Sequence, residues 1–175
     1  MNSADAAKSD SKLAHAYFGG GCFWCVEAVF ETMDGVSSVV SGFAGGKGKV
    51  TYHTLHGTGH AEVVRIDFDP SKVTYEQLLD LFWEAHDPTT LNRQGADEGS
   101  QYRSIILYTD EAQRVAAEKS RDVAQAGLHD PIVTEIVPLT EFYEADERHQ
   151  DYFARNSENR YCQMVIKPKL KKLGR

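Results

Sequence analysis

The 175-residue chain carries 19 Lys and Arg against 26 Asp and Glu, a formal net charge of −7, with 41% hydrophobic and 26% charged residues. That length suits one domain with a real core, the composition is that of a globular chain rather than a disordered one, and the acidic balance argues against non-specific nucleic-acid binding, which needs surplus cations. No apolar run approaches the ~20 residues that cross a bilayer, and the polar stretch 1–12 lacks the apolar centre of a secretory signal, so the sequence predicts a short disordered leader, one domain over 13–175, no membrane partner and a cytoplasmic location.

Residues 15–18 (His-Ala-Tyr-Phe) are rich in aromatics and end in Gly19-Gly20-Gly21, the pattern of a strand running into a flexible turn. From Cys22 onward, Phe23, Val26, Val29, Phe30 and Met33 recur at helical spacing until Gly35. Cys22 is therefore predicted at, or just before, the first turn of a helix. Residues 36–43 read as a strand closed by Gly45-Gly46, and a Gly- and His-rich loop follows over 47–60. A second strand spans 63–68 and is ended by Asp69-Pro70; an amphipathic helix spans 75–85, with Leu78, Leu79 and Phe82 on one face. The irregular stretch 86–101 has a length that is often functional. A strand over 104–108, a helix over 111–126, a strand over 133–137 and a polar helix over 147–155 complete the reading. Across 15–108 the order strand, helix, strand, strand, helix, strand is that of an α+β, ferredoxin-like (split βαβ) αβ sandwich. The remainder adds a helix, a strand and a C-terminal extension, which Asn156, Ser157 and Asn159 mark as a mobile arm. Lys167, Lys169, Lys171, Lys172 and Arg175 crowd the last nine residues and read as a solvated basic tail.

Three cysteines, Cys22, Cys25 and Cys162, are an odd number, which in a reducing compartment points to chemistry or burial rather than a structural disulfide set. At a helix start the unpaired N–H groups and the helix dipole stabilise a thiolate, so Cys22 is predicted to ionise below the ordinary ~8.5 and to act as a nucleophile. The alternative is a buried cysteine behaving as a small hydrophobe. Cys22-Phe23-Trp24-Cys25 also fits a thioredoxin-like redox pair, a nucleophile with an incidental neighbour, or half of a zinc site whose other ligands do not appear. Glu62, at the start of a strand beside the flexible loop, is either an ordinary strand-end carboxylate or a general acid, since a carboxyl in an aromatic pocket has a raised pKa. His60 reads as structural or exposed. Asp97 and Tyr102 lie in a polar loop, 93–103, that can reach a site.

These residues resemble the methionine sulfoxide reductase A family over about 17–169. Gly20-Gly21-Cys22-Phe23-Trp24 with Glu27 is similar to the family signature. Thr58-Gly59-His60-Ala61-Glu62, the stretches 86–90, 93–95 and 101–104, and His149-Gln150-Asp151-Tyr152 resemble its other motifs. The resemblance implies a ferredoxin-like αβ sandwich and assigns Cys22 as the catalytic cysteine. It places Phe23 and Trp24 in the pocket for the substrate methyl group, Glu62 as the acid that protonates the sulfoxide oxygen with help from Tyr52 and Tyr102, Asp97 on the substrate backbone, and Cys162 as the first recycling cysteine. It implies the S epimer of methionine sulfoxide as substrate, thioredoxin as reductant, and no metal or organic cofactor.

The chain departs from the family pattern at His56, where many relatives have cysteine, at Ala96 and Ser100, where asparagine and threonine are usual, and in having no cysteine after Cys162. Cys25 occurs in only some relatives. In the chemistry so implied, a Cys22 sulfenic acid condenses with a second thiol and the disulfide is reopened by exchange. Cys162, more than Cys25, is expected to be that thiol, because a bond across Phe23 and Trp24 would strain the pocket wall whereas a mobile arm brings Cys162 in after methionine leaves. A relay through both is a further route. Two rivals are a thioredoxin-like disulfide exchanger using Cys22 and Cys25, which has no need of Glu62, and a binding module that uses the aromatic pocket without turnover.

Overall fold

The structure is a computed structural model that describes residues 12–175, so the predicted leader, except for Lys12, lies outside the described residues. In chain order the elements are β1 (Ala14–Gly19), α1 (Phe23–Glu31), β2 (Val36–Ala44), β3 (Ala61–Phe68), α2 (Tyr75–Ala85), the two-residue strands β4 (Arg93–Gln94) and β5 (Asp97–Glu98), β6 (Ile105–Tyr108), α3 (Glu111–Gln125), β7 (Glu135–Pro138), β8 (Phe142–Glu144), α4 (Tyr152–Arg155) and α5 (Lys167–Lys172). Six strands form one sheet in the order β7-β6-β1-β3-β2-β8. Every neighbouring pair is antiparallel except β6 and β7.

Alternation along the strands divides the core. Ala16, Phe18, Val64, Ile66 and Ile106 are fully buried on one face, against Val29 and Phe30 of α1, Leu78, Leu79 and Phe82 of α2, and Ala117 of α3. Phe18 sits at the centre, its ring 4.9 Å from Phe82 and 5.7 Å from Phe30. Cutting so enclosed a ring back to alanine typically costs about 3–5 kcal/mol. Val63, Ile105 and Leu107 fill the other face with Tyr17, Val137, Leu139 and Phe142. Phe142 of the edge strand reaches Tyr17 at 5.4 Å across β2 and β3, so the sheet curls over that face. α2 starts where the reading places it because Thr74 and Gln77 form a reciprocal capping box.

Several elements differ from the sequence reading. The polar helix predicted over 147–155 is instead a 3-10 turn, Glu147–His149, and a separate four-residue helix, α4. Asp151 between them takes φ 50, a left-handed conformation that interrupts a helix. The polar side chains there tie the segment to the core. Gln150 accepts from Ser41 N and donates to Ser41 O, both at 2.8 Å, much as a strand would. The irregular stretch 86–101 contains the β4-β5 ribbon. The strand predicted over 133–137 is β7, which begins at Glu135 because Val133 N is drawn off to Pro88 O, and the edge strand β8 was not foreseen. The C-terminal arm is helical from Cys162 onward. A π-helical turn, Cys162–Ile166, leads into α5, and Cys162, Ile166 and Leu170 are buried.

Candidate active site

β1 ends at Gly19, where a Cβ would stand 2.7 Å from Ile105 and 2.8 Å from Glu62 O, and Gly21 takes φ +98, which favours glycine. This close, left-handed turn delivers Cys22 to the N-cap of α1, as the spacing predicts. Cys22 is 9% exposed, and its carbonyl accepts from Cys25 N and Val26 N. Glu62 lies on β3 opposite Phe43 and is buried. Its Oε1 accepts from Phe23 N at 3.2 Å, so the carboxyl sits at the same helix end as Cys22. Burial, the leading cause, pushes the Glu62 carboxyl up to about 8; the Phe23 N–H works against this, and the charges of Asp97 and Cys25 add to it. A carboxyl of this kind keeps its proton at neutral pH. Its charge, one of the influences that raises Cys22, is then absent.

Cys22 and Cys25 share a side-chain hydrogen bond. Sharing one proton between two thiols drives their ionisations apart. Cys22 is raised well above its ordinary value by that hydrogen bond and by burial. Cys25 is lowered to about 7 by the same hydrogen bond, with Lys169 and Tyr161 helping and burial opposing. The sequence reading placed the thiolate on Cys22; in the pair, burial and the shared interaction work against a charge on Cys22, while Lys169 favours one on Cys25. Tyr161 Oη lies 3.2 Å from Cys25 Sγ and 3.1 Å from Asp97 Oδ2, so its one proton serves either the thiol or the carboxylate and draws Asp97 to the cysteine pair.

Phe23 and Trp24 stand side by side. Trp24 lies flat on Tyr152, at 3.7 Å and 5°, and its indole N–H donates to His149 Nδ1 at 3.3 Å. His149 also packs on Phe23 and on Tyr52, which is 41% exposed. The result is an aromatic wall beside Cys22, flanked by an open groove of about 460 Å³ along Trp24, Tyr52, His149 and Tyr152. Tyr102 is half-buried, and burial and the neighbouring Glu62 and Cys22 raise its pKa.

The structure thus gathers Cys22, Cys25, Glu62, Phe23, Trp24, Tyr52, Asp97 and Tyr102 around the start of α1. Cys162 is fully buried behind Cys25, whose charge, after burial, helps to raise its thiol. The zinc alternative gains no third ligand: among the described residues the only three metal-binding side chains close together are Glu27, Glu31 and Asp151. His60 is structural, with Nδ1 accepting from Gly46 N and Nε2 bonding Gly48 O to hold the loop.

Sequence reasoning passed over several supports. Buried Glu27 accepts from Ser41 Oγ and Tyr152 N, fixing the ring that backs Trp24. His86 donates from Nδ1 to Phe82 O and bonds Ser104 Oγ through Nε2, and burial lowers it to about 4, so it packs neutral beneath Gly20. Glu27 lay within a recognised motif, but its role needs the fold to be seen.

Comparison with known proteins agrees with this geometry. The family described as peptide methionine sulfoxide reductase matches residues 14–175. A peptide methionine sulfoxide reductase, MsrA 1, from Rhodopirellula baltica is 53% identical over 163 residues, covering 91% of this chain and 85% of its own. The crystal structure of Mxr1 from Saccharomyces cerevisiae in reduced form superposes with a TM-score of 0.82 at 32% identity, covering 87% of this chain and 91% of that one. Mxr1 in complex with Trx2 superposes with a TM-score of 0.61 at 25% identity, covering 80% and 86%. With the cysteine, the buried acid and the aromatic wall in one place, the chain belongs to the peptide methionine sulfoxide reductase family.

Proposed function

We propose that the chain reduces the S epimer of methionine sulfoxide to methionine, with Cys22 as nucleophile and Glu62 as general acid. The observation that carries this reading is the buried Glu62 carboxyl, held by Phe23 N at the helix end beside Cys22 and still protonated at neutral pH. Sulfoxide reduction needs a nucleophile on sulfur and a proton on oxygen, and both stand here beside an apolar wall of Phe23 and Trp24 that suits a methyl group. Tyr52 and Tyr102 assist at the oxygen, and Asp97 faces the substrate backbone.

As the substrate sulfur approaches, the Cys22 proton passes to Cys25 and Glu62 gives its proton to the sulfoxide oxygen. Cys22 sulfur loses two electrons and takes the oxygen as sulfenic acid; the substrate sulfur gains the two electrons and leaves as methionine. A second thiol then attacks the Cys22 sulfur. The S–S bond forms, the S–O bond breaks, and the thiol proton leaves with the hydroxide as water, passed through the Glu62 carboxylate. The hydrogen bond between Cys22 and Cys25 favours Cys25 as the first attacker. Cys162, the thiol expected from the sequence to resolve Cys22, is buried within reach of the Cys25 charge, which supports a relay in which it takes the disulfide from Cys25. Thiol exchange with thioredoxin reopens it, a role that the complex of Mxr1 with Trx2 supports. Three free thiols suit a reducing cytoplasm, and among the described residues no helix is long and apolar enough to cross a membrane. The order β6-β1-β3-β2 with α1 and α2 between its strands supports reading the central part as a ferredoxin-like plait.

The contact between Cys22 and Cys25 also favours a second reading, a plain disulfide exchanger. The two separate on a peptide carrying either sulfoxide epimer, with thioredoxin and its reductase as electron supply. Turnover of the S epimer and not the R epimer is expected. Disulfide reduction without sulfoxide turnover would select the exchanger.

A further inference from the structure

The basic C-terminus is not uniformly solvated. Lys167, Lys171 and Lys172 are exposed, whereas Lys169 is half-buried on α5. Lys169 and Cys25 line the same narrow pocket, together with Gly20, Phe82 and His86, and Lys169 also borders an open groove with Asp87 and Lys172. The free space of the narrow pocket is about 10 Å³, room for at most a single water. Among the described residues no carboxylate forms an ion pair with the Lys169 ammonium, and no side-chain hydrogen bond engages it. Of the polar side chains lining the pocket, His86 has both ring nitrogens committed, to Phe82 O and Ser104 Oγ. Cys25 Sγ is the remaining polar group of that pocket.

The groups facing Cys25 divide by charge. Cys22 precedes it on α1, Tyr161 and Cys162 face it from the C-terminal segment, and neutral His86 shares its pocket. Asp97 of the β4-β5 ribbon disfavours a negative charge there, and Glu62 of β3 does so once ionised. Lys169 supplies the favourable charge. A half-buried lysine that shares a narrow pocket with a buried thiol favours that thiol's ionised form.

We propose that Lys169 is a positioning residue for recycling, the counter-ion that helps Cys25 give up the proton it takes from Cys22 and attack the Cys22 sulfenic acid as a thiolate. This rests on the reading of Cys25 as the resolving thiol and gives the C-terminal helix a part in the reaction beyond carrying Cys162. The bond that forms is Cys25 Sγ–Cys22 Sγ, the bond that breaks is the sulfenic S–O, and the hydroxide leaves as water with the proton that Cys25 gave up.

The test has two arms. In a full-length Cys22→Ser, Cys162→Ser background, Cys25 is the sole thiol, and its ionisation is followed by thiolate ultraviolet absorbance with Lys169 intact and as Lys169→Met, Lys169→Gln and Lys169→Arg. The Met and Gln variants are expected to need a pH about one unit higher, equivalent to about tenfold less thiolate near neutrality, and the Arg variant to keep the parent profile. In the chain with all three cysteines, disulfide formation after one equivalent of sulfoxide is expected to slow about tenfold at neutral pH for Lys169→Met and to recover as the pH is raised. Identical titrations for Lys169 and its Met and Gln replacements overturn the proposal. The titration judges Lys169 whether or not sulfoxide is turned over, whereas failure of the three-cysteine chain to form methionine or a Cys22–Cys25 disulfide counts against the reductase or recycling reading itself.

Discussion

Replacing Glu62 with glutamine separates the chemistry of the carboxyl from its shape. The glutamine side chain fills nearly the same volume, and its carbonyl oxygen can still accept from Phe23 N, as Glu62 Oε1 does at 3.2 Å. What disappears is a donatable proton, and general acid catalysis of this kind contributes about 10²–10⁴-fold. Single-turnover methionine formation should therefore slow by at least about 10²-fold. In the wild type the rate should fall as pH rises through about 8, where Glu62 loses its proton.

The same substitution should move stability in the opposite direction. Glu62 is raised from 4.5 to about 8 on folding, so between those values the native state holds a proton that the unfolded chain has released. Stability then falls with rising pH across that window. At pH 7 the penalty is about 3 kcal/mol, at roughly 1.4 kcal/mol per unit. Glutamine, which does not ionise, carries no such penalty. Urea unfolding should show little difference between wild type and Glu62→Gln near pH 4.5 and a growing advantage for the variant toward pH 8. A variant that is slow and no more stable at pH 7 than at pH 4.5, relative to wild type, would contradict the burial argument, and unimpaired single-turnover reduction would remove Glu62 as the acid.

Other substitutions probe the neighbours. Cys25→Ser should trap the sulfenic acid on Cys22 after one equivalent of sulfoxide, while Cys162→Ser should still form a disulfide; free-thiol counts and mass spectrometry decide, and the reverse pattern would restore Cys162 as the first resolving thiol. Tyr161→Phe removes the one hydroxyl proton within reach of both Cys25 Sγ and Asp97 Oδ2; where an ionised Cys25 draws that proton, Cys25 alkylation shifts to higher pH in the variant, and an unshifted profile would show that the hydroxyl serves Asp97 alone. Glu27→Ala leaves Ser41 Oγ and Tyr152 N without their shared acceptor, a loss of about 1–3 kcal/mol for each buried group stranded, and denaturant midpoints should fall well below those of Glu27→Gln.

The core was legible because apolar spacing reports burial directly. Phe23, Val26, Val29 and Phe30 share a helix face, and Val64, Ile66 and Phe68 face one side of a strand with no fold knowledge required. The place of Cys22 at the start of α1 followed from the glycines ahead of it. Where polar side chains set the backbone, the reading failed. Gln150 and Glu27 direct their hydrogen bonds to distant main chain and break the expected helix over 147–155, and the two-residue strands β4 and β5 are too short to show any period. The charge distribution between the two thiols was also beyond reach, because it depends on Tyr161 and Lys169, which lie 136 and 144 positions from Cys25 in the chain. Helix-end arguments concern Cys22 alone and leave out a neighbouring thiol with polar partners of its own.

The central claim is that one cysteine and one buried acid reduce sulfoxide within a single chain. Its most direct test mixes fully reduced protein with one equivalent of a methionine S-sulfoxide peptide, with no external reductant. Methionine and free thiols are then counted for wild type and Cys22→Ser. The wild type should form one methionine per chain and lose two thiols as a disulfide, and Cys22→Ser should form none. Methionine formation by Cys22→Ser, or its absence in the wild type, would contradict the account.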